Sequence, residues 1–289
     1  MSNKQLKFVH IVILLCLSVF VFSTYSTAQE KDGLLKIYFF DVGQGDAIFI
    51  ETPNGNQVLI DGGQDNKVIQ ELAKVMPFYD KEIDMVVLSH PHADHVVGLI
   101  EVLERYDVKN ILQAKENYNS PVVPAWVDMV KNEQANEIEA IAGKIIELGN
   151  DIVLKIIFPR ESLEGQTVKN PNNSSIVMML DYKETEILLV GDIEAKVEKE
   201  LLNDDIDADI LKIGHHGSKT STTVNFLEKV SPEVAFIEVG AKNRYGHPSS
   251  EVTERLEKFG IKYYRTDLDG TVKIVSDGES YQIIKNQNE

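Results

Sequence analysis

The chain has 289 residues, of which 43% are hydrophobic, and this is enough for one large core or two modest ones. Its formal net charge of −17 argues against tight nonspecific binding of duplex DNA, unless a local basic groove overrides the long-range repulsion. Cys16 is the single cysteine, so the chain has no internal disulfide and is expected to use neither a thiolate metal site nor a cysteine nucleophile.

Residues 1–28 are predicted to be an export signal. A short basic start precedes an apolar run from Phe8 to Phe22, which is shorter than the roughly 20 residues that a membrane-spanning helix needs. Ser26 and Ala28 are the small residues that a signal peptidase prefers, so we expect cleavage before Gln29 and an exported protein, whether secreted, periplasmic or cell-surface. The alternative is an uncleaved N-terminal anchor. Cleavage would leave 27 basic and 46 acidic side chains, a formal charge of −19.

Short apolar runs then alternate with amphipathic segments. The runs predict strands over Leu35–Phe40, Ala47–Glu51, Gln57–Ile60, Met85–Ser89, Lys109–Leu112, Ile152–Phe158, Ile176–Asp181, Glu186–Val190, Asp209–Ile213, Val234–Glu238, Lys262–Arg265, Thr271–Val275 and Tyr281–Ile284. Helical spacing joins Val68 to Leu72, Ile193 to Val197, and Val252 to Leu256. This mixture predicts an α/β fold in which helices cover sheets in four layers.

The segment near 116–149 is predicted to be a helix-rich insertion. Pro121, Pro124 and Trp126 open a stretch that continues through EQANEIEAIAGKIIEL and has no metal-binding residue type beyond scattered acids. Two interpretations are open: a lid that shapes a substrate site, or an ordinary pair of packing helices.

Four metal-binding side chains fall within six residues of the sequence SHPHADHVVG, namely His90, His92, Asp94 and His95. They are hard to explain as core packing because each needs polar partners. The cluster follows a predicted strand and begins a predicted helix, so a bend of the chain can aim all four at one place. Imidazole suits zinc, iron and manganese, and a carboxylate can bridge two cations. The segment therefore predicts two adjacent metal positions.

Further candidates lie at the ends of later strands. They are Asp192 in LLVGDIE, His215 and His216 in LKIGHHGSKTS, and His247 in RYGHPSS. Taken alone, Asp192 could be a helix cap, but every histidine except His10 falls in one of these motifs, so they support one another.

The pattern His-x-His-x-Asp-His resembles the hallmark of the metallo-β-lactamase fold superfamily, whose fold is a four-layer αβ/βα sandwich. More narrowly, the chain is similar to the extracellular hydrolase domain of bacterial DNA-uptake (ComEC) proteins. The motifs that carry this likeness are FFDVGQGDAIFI, VLIDGG, LSHPHADHVVGL, NNSSIVMML, LLVGDIE, ADILKIGHHGSKTS and YGHPSSEV. The resemblance implies one hydrolase domain over residues 29–289, as a stand-alone exported relative without the membrane portion of those proteins.

The resemblance also implies a centre with two divalent metal ions, zinc or manganese. The implied ligands are His90 and His92 for the first ion, Asp94, His95 and His216 for the second, and Asp192 between them. His215 and His247 are alternatives to His216 as the ligand; otherwise we expect them to contact the substrate or protonate the leaving group. The predicted catalytic residues are Asp94, His215 and His247.

One motif departs from the family pattern. Many members supply a histidine to the first metal upstream of the bridging aspartate, whereas this chain has Asn172, Asn173 and Ser174 in NPNNSSIVMML. The first site is therefore expected to be weaker, or to hold manganese, because oxygen ligands favour harder ions.

Other residues of these motifs have predicted supporting roles. Asp61, and also Asp41 and Asp46, are expected to hold ligand imidazoles through hydrogen bonds. Close backbone approach is expected at Gly43, Gly45, Gly62 and Gly63, for which ordinary turns are the alternative. Phosphate contacts are expected from Gly217, Ser218, Lys219 and Thr220.

Hydrolysis is the expected reaction, because paired metal ions lower the pKa of water and stabilise charge on substrate oxygens. The leading hypothesis is an exported metal-dependent phosphodiesterase or nuclease, acting on nucleic acid or on a smaller phosphodiester such as a phosphocholine or wall-polymer group. The alternatives are hydrolysis of a carboxyl-type bond, as in a β-lactam or lactone, and a non-catalytic metal-binding domain. No stable membrane insertion is expected once the leader is removed.

Overall fold

The computed structural model of the chain describes residues 5–6, 9–18 and 33–285. Residues 9–18 are helical, and no helix in these described ranges combines the length and apolar character needed to cross a membrane. The predicted cleavage site before Gln29 lies outside the described residues, so export and removal of a leader stay predictions.

The described strands form two mixed sheets. In chain order they are β1 (Leu35–Phe39), β2 (Ile48–Glu51), β3 (Gln57–Ile60), β4 (Glu82–Leu88), β5 (Asp107–Gln113), β6 (Asn136–Glu139), β7 (Ile145–Gly149), β8 (Ile152–Phe158), β9 (Val177–Tyr182), β10 (Thr185–Leu189), β11 (Ile210–Lys212), β12 (Val234–Ile237), β13 (Lys262–Arg265), β14 (Val272–Ser276) and β15 (Tyr281–Lys285). The first sheet has the order β15-β14-β1-β2-β3-β4-β5-β6, and the second has the order β13-β12-β11-β10-β9-β8-β7. In both sheets one half is antiparallel and the other parallel, the parallel parts being β3 to β6 and β10 to β13.

Helices cover the outer faces of both sheets. In chain order they are α1 (Lys67–Val75), α2 (Ala93–Leu103), α3 (Val123–Glu133), α4 (Ala195–Leu201), α5 (Val224–Val230), α6 (Ser250–Lys258) and the short α7 (Thr266–Asp269). One apolar cluster joins α1, α2 and α3 to the first sheet, and another joins α4, α5 and α6 to the second. A third fills the space between the sheets, where the rings of Phe39 and Phe236 stack with centroids 4.2 Å apart. The predicted four-layer α/β arrangement is confirmed.

The prediction of a helix-rich insertion near 116–149 is wrong for its second half. Helix α3 is present, but the rest of the segment forms β6 and β7, which the sequence pattern did not indicate as strands. These are the outer strands of the two sheets and pair on one side only. Edge strands often have charged side chains, which discourage pairing with another chain. The glutamate-rich sequence of β6 and β7 therefore resembles that of a solvent-exposed helix. Ile138 and Ile146 nevertheless pack against the core between the sheets.

The carboxyl ends of both parallel runs meet at one edge of the molecule. Asp61 follows β3 and His90 follows β4, while Asp192, His216 and Glu238 follow β10, β11 and β12. Contacts among these residues join the two sheets there. The carboxyl ends of parallel strands are the usual place for a site in open α/β sheets, because the loops that follow them converge.

Helix α2 packs backbone to backbone against the loop after β3. The Gly62 amide donates a hydrogen bond of 2.8 Å to the His95 carbonyl. A Cβ atom at Gly98 would lie 1.8 Å from the Gly62 carbonyl oxygen, and one at Gly45 would lie 2.0 Å from the carbonyl oxygen of Asp94. The close approach predicted for Gly45 and Gly62 is therefore present, and it fixes the start of α2, which carries two of the predicted ligands.

This packing predicts that Gly98→Ala lowers the free energy of unfolding by about 2 kcal/mol or more, because backbone atoms cannot move aside cheaply. Helix propensity alone gives the opposite sign, a gain of about 1 kcal/mol. Urea denaturation measures the difference. The control is Glu101→Ala in the same helix, which loses only a partly exposed ion pair with Arg105 and is expected to stay within about 0.5 kcal/mol of the unsubstituted protein. An alanine at position 98 that stabilises the protein would contradict the packing.

Candidate metal centre

The segment after β4 brings the four predicted side chains into one cluster. His90 is buried, and its Nε2 lies 3.0 Å from Nδ1 of His92. Its Nδ1 lies 3.1 Å from the hydroxyl oxygen of Ser89. The ring centroids of His90 and His95 are 4.1 Å apart. As the sequence predicts, the first two histidines follow a strand, and Asp94 and His95 begin a helix.

His95 is fully buried, and its orientation is fixed by Asp61. The Nδ1 atom lies 2.8 Å from Oδ2 of Asp61, which also accepts a hydrogen bond from the Ser89 hydroxyl, while Oδ1 of Asp61 accepts one from the Ser89 amide. An ionised carboxylate only accepts hydrogen bonds, so it keeps the proton on Nδ1. The free Nε2 then faces Asp192, 3.4 Å from its Oδ2. The role predicted for Asp61 agrees with this contact.

His216 lies in a turn with an unusual backbone. His215 and His216 both have positive φ angles, 50° and 54°, a conformation that costs energy in residues with a Cβ atom. Nδ1 of His216 donates a hydrogen bond of 2.9 Å to the carbonyl oxygen of Glu238. Its Nε2 is 3.4 Å from Oδ2 of Asp94 and 3.4 Å from Oδ2 of Asp192. The turn therefore aims the free ring nitrogen at the same point as His95.

Overlapping groups of side chains bring their ligand atoms within 4.8 Å of one another. The groups are His90 with His95 and Asp192; Asp94 with His95 and His216; Asp46 with Asp192 and His216; and Asp46 with Asp61 and His95. Oδ2 of Asp192 also lies 3.8 Å from Nε2 of His90. This one carboxylate oxygen is therefore close to the ring nitrogens of His90, His95 and His216.

Buried polar atoms of this cluster fit a cation. Among the described residues, Nε2 of His95 and His216 and Oδ1 of Asp46 and Asp192 have no hydrogen-bond partner. A buried polar group left in that state costs about 1–3 kcal/mol. Imidazole nitrogens and carboxylate oxygens that face one another are the donor set of divalent transition metals. The residues present therefore suit a divalent metal ion.

The half of the cluster around His90 and His92 has fewer candidate ligands. His92 belongs to none of the groups found in the described part of the chain. Asn172, at the departure from the family pattern, is buried, and its Nδ2 lies 3.3 Å from the ring nitrogens of His215. Its Oδ1 has no hydrogen-bond partner among the described residues. In the described ranges, an amide oxygen without a partner therefore lies in the residue beside His215.

The same carboxylates set the protonation of the buried imidazoles. Burial lowers the pKa of His95 and of His216, but the neighbouring aspartates outweigh it and raise both pKa values well above the ordinary value. Asp192 is the largest contributor in each case, joined by Asp61 at His95 and by Asp46 at His216. With no metal ion bound, these aspartates favour the protonated forms of His95 and His216. A bound cation would take the place of those protons.

A cavity of about 280 Å³ opens over the cluster. Its walls include His92, Asp94, Asp192, His215, His216 and His247, together with Gln44 and Tyr245. Nδ1 of His215 lies 3.2 Å from the hydroxyl of Thr220, and the rings of His215 and His247 are 5.6 Å apart. All predicted catalytic residues therefore face one cavity.

Ser218 and Thr220, which were predicted to contact phosphate, do not line this cavity. Their hydroxyl oxygens are hydrogen-bonded to each other at 3.0 Å, and the Thr220 hydroxyl also contacts His215.

His215 and His247 are neutral near pH 7. Burial, followed by the nearby His215 and His216, lowers the pKa of His247 to about 4. Burial likewise lowers the pKa of His215. Neutral imidazoles offer a bound ligand N–H hydrogen bonds without adding positive charge.

Sequence reasoning missed Lys212, which lies beneath the cluster. Its side chain is 1% exposed, and its Nζ forms an ion pair with Asp46 and donates a hydrogen bond of 3.0 Å to the carbonyl oxygen of Gly191. Nζ also lies 3.8 Å from Oδ1 of Asp192. Burial lowers the pKa of Lys212, but Asp46 and Asp192 raise it by a larger amount, so the ammonium group stays charged. The signal was visible as a lysine inside the apolar strand DILKI, since lysine is almost never fully buried without a partner.

Glu238 was also missed, and it closes the buried network from the side of β12. It is fully buried, and its Oε1 accepts a hydrogen bond of 2.9 Å from the Ala47 amide. Burial, and then the nearby Asp46, raise the pKa of this carboxyl well above the ordinary value. A raised pKa favours the neutral carboxyl, so Glu238 adds less negative charge to the buried network than an ordinary glutamate would.

A family model of the metallo-beta-lactamase superfamily matches residues 40–239. The chain belongs to this superfamily. Superfamily membership, predicted from the histidine motif, is thus confirmed. Members of this hydrolase family bind divalent metal ions, often two, and the imidazole and carboxylate cluster lies where such ions would be held.

The curated relatives of this superfamily member include Competence protein ComA of Neisseria gonorrhoeae, which is 26% identical over 261 residues, 87% of this chain and 34% of that protein. The chain is 29% identical over 274 residues to ComE operon protein 3 of Bacillus subtilis, which covers 88% of this chain and 34% of that protein. It is 29% identical over 269 residues to Recombination protein 2 of Haemophilus influenzae, which covers 91% of this chain and 31% of that protein. The chain therefore spans about a third of the length of these relatives.

Among solved structures, CmlA, a diiron beta-hydroxylase from Streptomyces venezuelae, has a similar fold. The TM-score is 0.53 with 13% identity, over 87% of this chain and 54% of that one. At this identity the likeness shows the metallo-β-lactamase fold alone.

The buried position of Lys212 predicts a large cost for Lys212→Met. The substitution leaves Asp46 buried without its cation, so the free energy of unfolding is expected to fall by about 3–5 kcal/mol in chelator-treated protein. Urea denaturation measures the loss. The matched control is Lys199→Met, which removes an exposed lysine from α4 and is expected to change stability by less than about 0.5 kcal/mol. Equal effects of the two substitutions would show that Lys212 does not balance the buried carboxylates.

Proposed function

We propose that the chain is an exported, metal-dependent phosphodiesterase with a pair of divalent ions. The observation that carries the proposal is the position of Asp192, which belongs both to the group with His90 and His95 and to the group with Asp46 and His216. A carboxylate between two sets of ligands suits a pair of ions, and two-metal sites are common in phosphatases and nucleases.

The ligand assignment follows the two halves of the cluster. On this proposal His90 and His92 hold the first ion, Asp94, His95 and His216 hold the second, and Asp192 contacts both. Imidazoles suit zinc, whereas carboxylate oxygens favour manganese. The first ion is therefore expected to bind more weakly than the second.

When bound, such ions lower the pKa of a water molecule and stabilise negative charge on a phosphate. The chain's own groups prepare the cavity for this reaction. Asp61 and the Glu238 carbonyl fix the ring nitrogens of His95 and His216, so no reorganisation is needed when substrate binds. His215 and His247 line the cavity as neutral N–H donors, suited to contacting a phosphate oxygen or the leaving oxygen.

Two considerations bear on the substrate. The names of the curated relatives concern competence and recombination, which supports a nucleic acid. The net charge of −17 favours a small phosphodiester, or a nucleic acid that binds through a local basic surface. A phosphodiester is the substrate class that satisfies both.

Export belongs to the same proposal. Its support is the apolar run from Phe8 to Phe22 with small residues before Gln29. Mass spectrometry of the protein recovered outside the cytoplasm is expected to show an N-terminus at residue 29. Recovery of the full-length chain from the cytoplasm alone would oppose export.

A substrate screen tests the proposed reaction. The purified protein with added manganese or zinc is expected to hydrolyse bis(p-nitrophenyl) phosphate and to leave nitrocefin largely intact. Cleavage of nitrocefin without any phosphodiester cleavage would favour the carboxyl-type alternative. Absence of metal-dependent turnover on either substrate would favour a non-catalytic metal-binding domain.

Asp192→Ala is expected to remove most of the bound metal and to lower kcat/KM by about 10³-fold or more, because it deletes the anion shared by both halves of the cluster. Elemental analysis and turnover are measured on the same preparation. Unchanged metal content in this variant would refute the bridging assignment.

His216 and His215 form a matched pair of neighbouring histidines with different predicted roles. His216→Ala is expected to lose one metal ion per chain. His215→Ala is expected to keep both ions and to lower kcat by about 10²-fold, because it removes a hydrogen-bond donor to the phosphate or to the leaving oxygen. The reverse pattern of metal loss would exchange the two assignments.

A further inference from the structure

A second cavity, of about 640 Å³, adjoins the one over the metal cluster. It lies between the loop from β1 to β2, the start of α1 and the loop from β12 to α6, and it shares Gln44 and Tyr245 with the first cavity. The two cavities therefore form one continuous depression that leads away from the candidate metal centre.

The walls of the second cavity are basic, in contrast to the rest of the chain. Lys67, Lys242 and Arg244 line it, and Asp41 is the one acidic residue among its lining residues. None of the three cations is paired with a carboxylate in the part of the chain that the structure describes. Asp41 accepts a hydrogen bond of 3.1 Å from the Gly43 amide. The chain as a whole has a net charge of −17, but cations that are not paired with carboxylates attract anions to this cavity.

Tyr245 stands where the two cavities meet. Its side chain is 57% exposed, and its ring lies nearly parallel to that of His247, with an interplanar angle of 16° and centroids 5.8 Å apart. The Arg244 guanidinium lies 5.4 Å from the centroid of the same ring. An exposed aromatic ring beside unpaired cations is the arrangement with which proteins bind single-stranded nucleic acids, because bases stack on the ring and phosphates pair with the cations.

The loop that carries Tyr245 is held in place before any ligand binds. Nδ2 of Asn243 donates hydrogen bonds to the carbonyls of Gly240 and His247, at 2.9 and 2.7 Å. Oδ1 of Asn243 accepts hydrogen bonds from the amides of Tyr245 and His247, at 3.2 and 2.9 Å. The loop therefore presents its cations and its aromatic ring in a fixed arrangement, which lowers the entropy lost on binding.

We propose that this second cavity is the subsite for the nucleotide next to the scissile bond of a single-stranded nucleic acid. Lys67, Lys242 and Arg244 bind its backbone phosphate, and Tyr245 stacks on its base. The inference rests on the proposed phosphodiesterase function and adds the class of substrate and the residues that select it. A wall polymer of glycerol phosphate also has anionic groups, but it has no base that could stack on the ring of Tyr245.

The test separates binding from turnover. A fluorescently labelled single-stranded 12-mer is titrated with the full chain, and anisotropy is recorded over a range of salt concentrations. Lys242→Ala combined with Arg244→Ala is expected to weaken binding about tenfold and to make the slope of log K against log salt less negative by about 1.4, the value for two lost phosphate contacts. Tyr245→Leu is expected to weaken binding of the normal 12-mer about tenfold and to leave an abasic 12-mer nearly unaffected.

The matched control is Lys199→Ala combined with Lys258→Ala, which removes the same charge from exposed positions that do not line the cavity. Turnover is compared in parallel on the 12-mer, on a glycerol phosphate polymer and on methyl p-nitrophenyl phosphate. The cavity substitutions are expected to lower kcat/KM for the 12-mer at least tenfold more than for the small diester.

Different failures lead to different conclusions. Equal effects of the cavity and control substitutions on binding would overturn the subsite, even if the protein hydrolyses phosphodiesters. Turnover of the glycerol phosphate polymer without turnover of the 12-mer would replace nucleic acid by a base-free polymer. Metal-dependent hydrolysis of none of the three substrates would refute the proposed function, whereas the anisotropy measurements would still decide whether the cavity binds a single strand.

Discussion

Negative charge buried at the meeting point of two sheets is the constraint on which the site depends. Asp46, Asp61 and Asp192 lie at that point with almost no exposure to solvent, and Lys212 is the buried lysine that accompanies them. The single charge of Lys212 does not balance three carboxylates. A cation or proton held by the imidazoles of His95 and His216, which face Asp192, would stabilise these buried carboxylates. The fold supplies this geometry because the loops after its parallel strands converge there.

Part of this arrangement was predictable from the sequence. Strands β3 and β8 have largely uninterrupted or alternating apolar patterns, and their bounds match the prediction. The histidine motifs identified the cluster because no packing role explains so many imidazoles at strand ends. Close backbone packing at Gly45 and Gly62 was also indicated by the glycine-rich motifs, since such contacts require residues without a Cβ atom.

The rest depended on tertiary contacts that no local pattern encodes. Edge strands β6 and β7 have charged side chains, so their sequence resembles a helix until their neighbours in the sheets are known. The apolar strand around Lys212 indicated a buried lysine, but not its partners, because these are far from it in sequence: Asp46 belongs to the loop after β1 and Gly191 to the loop after β10. The second cavity combines Lys67 with Lys242 and Tyr245, which only the packing of α1 against the loop after β12 brings together.

The distribution of charge also connects the fold to its proposed substrate. An acidic body repels polyanions at long range, so a nucleic acid substrate needs a local basic surface beside the reacting phosphate. The cavity next to the candidate metal centre is such a surface, and among the described residues none of its cations is paired with a carboxylate.

Metal stoichiometry tests the account most directly. Purified protein, stripped with chelator and then dialysed against manganese or zinc, is analysed for metal per chain and for phosphodiester hydrolysis before and after reloading. The account predicts two divalent ions per chain at saturation, no hydrolysis in the stripped protein and recovery of hydrolysis on reloading. Full hydrolysis by protein that contains no metal, or a reloaded protein that binds none, would contradict it.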